Sequence, residues 1–472
     1  MKEKTLSRVL WVFIAINVIY LFASIFISRR AVGDDLEHIH ASWLVWQGLI
    51  PYTDFFEHHH PLMWYLFAPL TGLFSGNVLV FLVIRCIMAL VSLAVLYVVY
   101  RLVKDFWGNK ISALIAVNLF CFSNIALDAM VQFKPDTFMH LFFFVGLYLF
   151  FAFWKSNKQK YLNLAFLSWG VGFLFLQTII FLLFPLGLCG IYLLVKKQIG
   201  WKNILKALPL GMVSLALFGV YLLICGNAQR YFETNWLLNS HILEDIWDTR
   251  IKDFSDLYGI LCFGVASAIY LLMNKPNKYV LCLLVMYVVE LLLRTTYISI
   301  WMYYFKILIL YNAVLIALVC AKFYEVKKWT AWIIMLFMLL GCGKFWLFEG
   351  IEPDEIDTFS VLGIVTHISQ NTTSDDVVLG ISGIPFGVFN KDAHYYWFSW
   401  SYMGRLDEKY FHYAEPFDIN KIIIKTKPKY VYYEEFKKKK KENRPKYAIM
   451  PQILFSMYRQ EVYDTLFRRR DE

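Results

Sequence analysis

The distribution of apolar residues constrains this chain more than any other feature of its sequence. Apolar blocks recur from the N-terminus to about residue 348. They run for roughly 18–25 residues, the length that an α-helix needs to cross a hydrocarbon core of about 30 Å. The alternating segments of about ten residues that are typical of membrane β-barrels are not found. The sequence therefore predicts an all-α polytopic membrane protein.

Hydropathy predicts about eleven transmembrane helices. They lie near 9–28, 77–100, 111–129, 138–154, 161–176, 179–195, 204–225, 255–273, 279–293, 302–320 and 331–348. The segment 161–195 fits either two short helices or one helix that is broken around Gln177 and Pro185. All eight cysteines lie within or at the ends of apolar blocks and none forms a CxxC pair, so neither a disulfide scaffold nor a zinc ribbon is expected.

Loop charge predicts the sidedness of these helices. One set of loops carries 18 lysines and arginines, and the alternate set carries seven. The positive-inside rule places the first set in the cytoplasm. We therefore expect a multi-pass protein of the cell (inner or plasma) membrane, with a cytoplasmic N-terminus. The net charge of +10 then reflects topology and contact with membrane lipids, and no nucleic-acid partner is expected.

Composition changes after residue 348. The segments DDVVLG (375–380) and KIIIKTKPKYVYY (421–433) have the pattern of short strands. An odd number of spans places this part outside. The sequence thus predicts a transmembrane domain over 1–348, with its first outer loop at 29–76, and a small α/β extracytoplasmic domain over 349–472.

The first outer loop carries the densest group of reactive side chains. Five of the ten histidines and five acids lie between Gly33 and Pro61. From Leu36 to Ile50 the apolar residues are spaced 3, 4, 3 and 4, which predicts a helix with one apolar stripe. Its tryptophans suit a helix whose stripe faces the membrane interface, with Asp34 on a different face.

Two features of this loop allow more than one interpretation. Asp34 and Glu37 match a capping box, and a capping role can coexist with a chemical one. The histidines at 58–60 are either a polar entry to a helix beginning at Pro61 or metal ligands together with Glu57 or Asp54. Consecutive histidines cannot all point at one ion, so no metal is assigned; a divalent metal on Glu57 and His59 is the alternative.

Other polar groups on the predicted outer side suit a phosphate. Lys134 and Asp136 open the fourth span, Arg294 ends the ninth, and Arg85 is a charge within the second. Charges within membranes usually face the interior of the helix bundle and mark function or a buried pair.

Six segments of the chain form a recognisable pattern: Asp34-Asp35, His38, Gly48, Pro51-Tyr52, His59-His60-Pro61-Leu62 and Phe133-Lys134-Pro135-Asp136. They resemble the C-fold glycosyltransferases (GT-C), and most closely the bacterial branch related to protein mannosyltransferases and lipid A aminoarabinose transferases. Three positions depart from that family's pattern: Asp35 stands where glutamate is usual, Lys134 replaces arginine, and His60 replaces the first proline of a pair.

The resemblance implies an inverting glycosyltransferase. It would move a sugar from a polyprenyl-phosphate donor to a cell-envelope acceptor (a glycan, a lipid such as lipopolysaccharide, or a protein) on the extracytoplasmic face. Asp34 matches the catalytic acid, and Asp35 beside it has one methylene less reach than the usual glutamate. The expected ligands of the phosphate or the sugar are Lys134, Asp136, Arg294, His60, Asp54 and Glu57.

Three other classes of protein compete with this interpretation. A transporter or flippase of lipid-linked sugars would show internal repeats and ionisable groups at the bilayer midplane, and no convincing repeat is found. The sequence barely distinguishes a glycan polymerase of related fold from a transferase. A non-catalytic assembly protein would leave the acid-rich loop without a role.

Overall fold

The computed structural model describes residues 1–27, 32–238, 258–296, 305–347, 358–380, 386–395, 419–432, 454, 456–461 and 466–470. The chain folds as two compact units. The membrane unit comprises Met1–Ser28, Arg85–Phe218 and Ile246–Glu352. The loop unit comprises Arg29–Ile84, Gly219–Asp245 and Pro353–Glu472. The division into domains 1–348 and 349–472 stays a prediction, and the loop unit draws on both of those ranges.

A helix occupies each of the predicted spans. Within the described residues, five helices are long and apolar enough to cross a membrane, and a bent pair over 110–131 makes a sixth if it counts as one span. The predicted helical, polytopic fold with a small C-terminal sheet is therefore confirmed. The helices at the predicted spans are Glu3–Ile27, Leu79–Leu102, Lys110–Cys121, Asn124–Val131, Pro135–Ser156, Gln159–Phe175, Ile179–Val195, Trp201–Ile224, Tyr258–Met273, Lys278–Thr296, Lys306–Val326 and Thr330–Leu347.

The third predicted span is broken where the sequence analysis expected one helix over 111–129. Its two halves, Lys110–Cys121 and the segment that follows, meet at an angle of 85°. The break has a local cause, because the Ser123 side chain accepts a hydrogen bond from Ala126 N–H at 3.3 Å and so caps a new helix. The open question at 161–195 resolves to two helices, with Pro185 inside the second.

A close contact between two helices of the membrane unit occurs at Gly264. A Cβ atom at this position would lie 1.4 Å from Asn312 Oδ1. Asn312 is fully buried, accepts a hydrogen bond from the Tyr287 hydroxyl at 3.0 Å and donates one to the Leu308 carbonyl at 2.8 Å. The absence of a side chain at Gly264 therefore lets Tyr258–Met273 pack closely against the Asn312 side chain, whose hydrogen bond with Tyr287 joins Lys306–Val326 to Lys278–Thr296.

The loop unit contains a five-stranded mixed sheet with the strand order β2-β1-β3-β5-β4. β1 pairs in parallel with β2 and β3, and β5 pairs antiparallel with β3 and β4. Its core is formed by Leu379, Ile419, Ile423, Val431 and Phe467 with their neighbours. The strands are β1 (Val377–Gly380), β2 (Lys391–Asp392), β3 (Tyr430–Tyr432), β4 (Tyr458–Gln460) and β5 (Leu466–Arg469).

The expectation of a strand over 421–433 was wrong for its first part. Residues Ile419–Thr426 form a helix, and only the end of the segment forms a strand, β3. The reason is the spacing of Ile419, Ile422 and Ile423, which lie on one helical face and are all buried against the sheet. A run of isoleucines does not by itself distinguish the two states.

Candidate active site

The first outer loop folds around a helix, Val32–Trp46, here called the loop helix. It ends just before Gly48, whose φ of +86° lies in the left-handed region that glycine adopts most readily. Leu36, Ile39 and Trp43 are 1–2 % exposed within the protein. These three residues are therefore covered by protein, whereas the sequence analysis expected the whole stripe to face the membrane interface. Trp46, further along the same stripe, is 52 % exposed.

The first turn of the loop helix holds the two adjacent acids. Asp35 is fully buried, and Asp34 is half-buried. The helix begins at Val32, two residues before Asp34, so Asp34 lies inside the first turn and does not occupy the N-cap position that the capping interpretation assumed. A carboxylate in this turn interacts favourably with the positive end of the helix dipole. Of the two acids, Asp34 is the one that a substrate can reach.

A cluster of histidines and glutamates lies beside the acids. The carboxylate oxygen Oε1 of Glu57 accepts hydrogen bonds from the backbone N–H groups of His58 and His59 at 2.9 and 3.1 Å and lies 3.0 Å from His59 Nδ1. His38, 3 % exposed, stacks against Trp64 with ring centroids 4.7 Å apart. The loop thus packs its polar groups against one another and against a buried aromatic ring.

Burial sets the charge of two members of this cluster. It raises the pKa of Glu57 to about 7, although the electrostatic interaction with His58 and the hydrogen bonds from the backbone lower this pKa. Burial, followed by the charge of His59, lowers the pKa of His58 to about 3. His58 is therefore neutral at neutral pH and has an unprotonated ring nitrogen.

Four of these side chains fit a metal ion only in part. One donor atom each from Glu37, Glu57, His58 and His59 lies within 4.8 Å of the others. The donors of a tetrahedral zinc ion are about 3.3 Å apart, given bonds of about 2.0–2.1 Å. The donor types suit zinc, but the cluster would have to contract and His59 would have to leave Glu57. Among the described residues these four are the group able to hold a metal, and the predicted pair Glu57 and His59 belongs to it.

His60 and Asp54 make structural contacts within the loop unit. His60 is fully buried, with Nε2 2.7 Å from the Tyr231 hydroxyl, which accepts a hydrogen bond from Trp236 Nε1 at 3.0 Å. The single phenolic proton is then available to His60, which favours a neutral imidazole. Asp54 is exposed, and its carboxylate accepts the Ile50 N–H at 2.7 Å, closing a turn. Their predicted roles in binding phosphate or sugar stay predictions.

Lys134, Asp136 and Arg294 belong to the membrane unit. Lys134 is 5 % exposed and directly precedes the helix Pro135–Ser156, and Asp136 lies in the first turn of that helix. Arg294 Nε donates to Glu290 Oε1 at 2.7 Å, and the Glu290 side chain is 1 % exposed. Arg294 therefore has a buried counter-charge, which weakens it as a free phosphate ligand. These three roles also stay predictions.

The sequence analysis missed the residues that brace the loop from distant parts of the chain. Asn227 Nδ2 donates to the Pro51 carbonyl at 3.0 Å, and Arg230 donates to the Thr53 carbonyl at 2.7 Å. The Tyr395 hydroxyl donates to the Tyr52 carbonyl at 2.8 Å. The cluster Asn227–Arg230 directly follows a predicted span and is the only signal that the sequence offered for these contacts.

A buried histidine joins the loop helix to the C-terminal sheet. His40 is 1 % exposed; its Nδ1 lies 2.8 Å from the Val388 carbonyl and its Nε2 lies 3.0 Å from both carboxylate oxygens of Asp392. A carbonyl accepts only, so Nδ1 carries a proton. A hydrogen bond to Asp392 then needs a second proton, either on Nε2 of His40 or on the Asp392 carboxylate. Burial raises the pKa of Asp392, and the interaction with His40 acts in the opposite direction.

We expect His40→Phe and Asp392→Asn each to lower the thermal-unfolding midpoint of the purified protein. His40→Phe removes the imidazole partner of the Val388 carbonyl and of the Asp392 carboxylate, and Asp392→Asn removes the charge from the contact, each at a cost of about 1–3 kcal/mol. The double variant should be less destabilised than the sum of the two, because the same contact is removed only once. Strictly additive effects in this cycle would show that the two side chains do not interact.

Taken together, the fold and the loop define a helical membrane protein with an acid-bearing first loop and a small mixed sheet. Residues 58–224 match the family model described as dolichyl-phosphate-mannose-protein mannosyltransferase. The family resemblance predicted from the sequence is confirmed by this match. The matched segment includes His58–His60 and Lys134–Asp136 and begins after Asp34.

One similar solved structure is that of ArnT from Cupriavidus metallidurans in the apo state. It is 13 % identical in sequence, with a TM-score of 0.49, over 75 % of this chain and 67 % of that chain. A sequence search of curated proteins finds no match.

Proposed function

We propose that this protein is an inverting glycosyltransferase that takes a sugar from a polyprenyl-phosphate carrier on the extracytoplasmic face. The observation that carries the proposal is the half-buried Asp34, held in the first turn of a loop helix that is itself anchored on three buried apolar residues. The match of residues 58–224 to a family of lipid-phosphate sugar transferases supports the donor class. The excess of basic residues in one set of loops, 18 against seven in the alternate set, supports the orientation.

Asp34 acts as the general base. Its carboxylate accepts the proton of the acceptor hydroxyl as that oxygen attacks the anomeric carbon. The bond from that carbon to the phosphate oxygen breaks at the same time, and polyprenyl phosphate leaves with the bonding electrons. Attack opposite to the leaving group inverts the anomeric configuration. A cation near the departing phosphate lowers the barrier, because negative charge develops there.

Glu57 and His38 order the part of the loop that lies near this base, since His58 interacts electrostatically with Asp34. Glu57 orders the backbone at His58 and His59 through its three contacts, and His38 fills the space against Trp64. A base that is held in place on a rigid helix can meet the acceptor hydroxyl within hydrogen-bonding distance. Acceptors with a free hydroxyl on a glycan, a lipid or a protein all suit this chemistry.

The proposal is tested by supplying purified protein in lipid nanodiscs with a panel of polyprenyl-phosphate sugars and an envelope extract as acceptor. We expect one of these donors to be consumed and polyprenyl phosphate to appear, as followed by mass spectrometry. Nucleotide sugars, the matched control donors, should not be consumed. Consumption of a nucleotide sugar, or of no donor in the panel, would contradict the proposal.

We expect transfer to be unaffected by removal of divalent metals. The donor atoms of the Glu37, Glu57, His58 and His59 group spread to 4.8 Å, and Glu57 is already engaged by three nitrogen atoms of its neighbours. Activity should therefore survive dialysis against a chelator. Loss of activity on dialysis that zinc restores would instead identify these four residues as a ligand set.

A further inference from the structure

Three loops of the membrane unit carry lysines and no acids. They lie at 155–160, 196–202 and 274–278, each at the junction of two helices, and belong to the set of loops with 18 lysines and arginines. Together they hold eight lysines and neither aspartate nor glutamate. The lysines, all of them exposed, are Lys155, Lys158, Lys160, Lys196, Lys197, Lys202, Lys275 and Lys278.

Side-chain contacts bring these three loops together. Trp154, which directly precedes the first loop, donates a hydrogen bond from Nε1 to Gln198 Oε1 of the second loop at 3.2 Å. Lys278 of the third loop places its Nζ 4.5 Å from the centroid of the Trp154 ring. The three loops therefore form one surface, here called the lysine surface, which comprises residues 155–160, 196–202 and 274–278.

Aromatic rings hold the ammonium groups of two of these lysines. The rings pack against one another with centroids 4.9–6.2 Å apart, and they are Phe106, Phe151, Trp154 and Tyr279. Besides its contact with Trp154, Lys278 Nζ lies 5.1 Å from the Tyr279 centroid. Lys155 Nζ lies 5.8 Å from the Phe106 centroid. A ring face attracts a cation without neutralising it, so both ammonium groups are held in place with their charge intact.

The charge of the lysine surface is not compensated by carboxylates. None of its eight lysines forms an ion pair with a carboxylate of the described residues. Asp105, which precedes Phe106 of the aromatic cluster, is already paired with Arg101 at 2.9 Å. Like charges on one surface repel one another, so the lysine surface attracts an anion from its surroundings.

Exposed apolar residues beside the lysines indicate which kind of anion this is. Tyr192, Val195 and Trp201 are 50 %, 73 % and 61 % exposed. Lys196 Nζ and Lys202 Nζ each lie 6.0 Å from the centroid of a ring among them, Tyr192 and Trp201 respectively. Tyrosine and tryptophan beside lysine at the end of an apolar helix are typical of the headgroup level of a membrane. A phospholipid offers both a phosphate for the lysines and acyl chains for the apolar residues.

We propose that the lysine surface binds an anionic phospholipid, whose phosphate contacts Lys155 and Lys278 and whose acyl chains lie beside the exposed residues of the helix Ile179–Val195. This inference goes beyond the proposed function and does not depend on it. Basic clusters between the ends of membrane helices are suited to anionic headgroups. Because the aromatic cluster holds Lys278 in place before the lipid binds, less conformational entropy is lost on binding.

The test measures lipid binding to the full-length protein in detergent by native mass spectrometry. The probes are phosphatidylglycerol, phosphatidylcholine with the same acyl chains, and glycerol 3-phosphate, which has the phosphate without the chains. The variant Lys155→Met/Lys278→Met loses two charges, and Lys155→Arg/Lys278→Arg keeps them.

The double variant Lys327→Met/Lys328→Met is the matched control. Both lysines are exposed and belong to the same set of basic loops, and Lys328 Nζ lies 4.1 Å from the Tyr324 centroid. They differ from the lysine surface in having a glutamate, Glu325, in the same loop.

We expect Lys155→Met/Lys278→Met to weaken phosphatidylglycerol binding by about 30-fold, which corresponds to about 1 kcal/mol for each lysine. The arginine variant and the matched control should bind phosphatidylglycerol like the wild type. Phosphatidylcholine binding should be the same in all variants, and glycerol 3-phosphate should bind far more weakly than the lipid.

Four results would overturn the inference. Unchanged phosphatidylglycerol affinity in Lys155→Met/Lys278→Met would exclude these two lysines. An equal loss in the matched control would indicate diffuse attraction to all basic loops. An equal loss of phosphatidylcholine binding would indicate a damaged surface, and glycerol 3-phosphate that binds as tightly as the lipid would indicate a site for a soluble anion.

Thermal unfolding provides an independent measurement. Without added lipid, the methionine variant should unfold near the wild-type midpoint, because both lysines are exposed. Phosphatidylglycerol should raise the midpoint of the wild type more than that of the methionine variant, because a ligand stabilises the folded state that binds it. Equal increases in both proteins would contradict binding at the lysine surface.

Discussion

Asp34→Asn is expected to reduce sugar transfer by about 10²- to 10⁴-fold, the usual contribution of a general base. Asparagine keeps the shape of the side chain but cannot take a proton from the acceptor hydroxyl. The substitution leaves the buried anchors of the loop helix, Leu36, Ile39 and Trp43, in place. Initial rates with the donor identified from the polyprenyl-phosphate panel measure the effect, and donor binding should change little.

Asp375→Asn is the matched control for this experiment. Asp375 has an 81 % exposed side chain paired with Lys391 on the surface of the C-terminal sheet, so its removal should leave transfer unchanged. Wild-type rates in Asp34→Asn would show that another group accepts the proton. An equal loss in both variants would indicate a general effect of lost charge.

Gly264→Val is expected to prevent accumulation of folded protein. Its Cβ alone would lie 1.4 Å from Asn312 Oδ1, and Asn312 cannot move without losing its contacts to Tyr287 and Leu308. Overpacking of a core usually costs about 1–3 kcal/mol, and the loss of buried hydrogen bonds adds to that cost. Fluorescence-detected size-exclusion chromatography of membrane extracts measures the folded fraction.

Gly259→Ala provides the comparison on the same helix. A Cβ at Gly259 meets no atom within 4 Å, so this variant should accumulate like the wild type. A monodisperse Gly264→Val peak of wild-type height would contradict the close approach of these two helices. Loss of both variants would point to the helix propensity or insertion of the segment and away from the contact.

The helical spans were predictable because hydropathy over a window depends only on local composition and on the thickness of a membrane. The break at Ser123 could have been predicted, since serine is a favoured N-cap residue. The high average hydropathy of residues 111–129 favoured one continuous helix instead. The loop helix was also predictable from its spacing. Its orientation was not, because an apolar stripe has the same pattern whether lipid or protein covers it.

The candidate site was predictable only where its residues are close in sequence. Asp34, Asp35 and the histidines at 58–60 share one loop, and their density is visible in the sequence. The sequence analysis did not single out Lys306, the first residue of the helix Lys306–Val326, because a lysine near the end of a span usually extends to the interface. In the structure this lysine is buried. Contacts such as the one between His40 and Asp392 join residues 352 positions apart, and a single sequence holds no signal for such pairs.

That last separation has a consequence for how the protein is made. His40 is synthesised long before Asp392, because 352 positions separate the two residues. The loop helix therefore leaves the ribosome before its hydrogen-bond partner Asp392 has been translated. Until then the histidine lacks its carboxylate partner, and contacts between such distant residues form slowly. A nascent chain halted before residue 392 would hold every predicted span and still lack a finished first loop, which links maturation of the enzyme to completion of its synthesis.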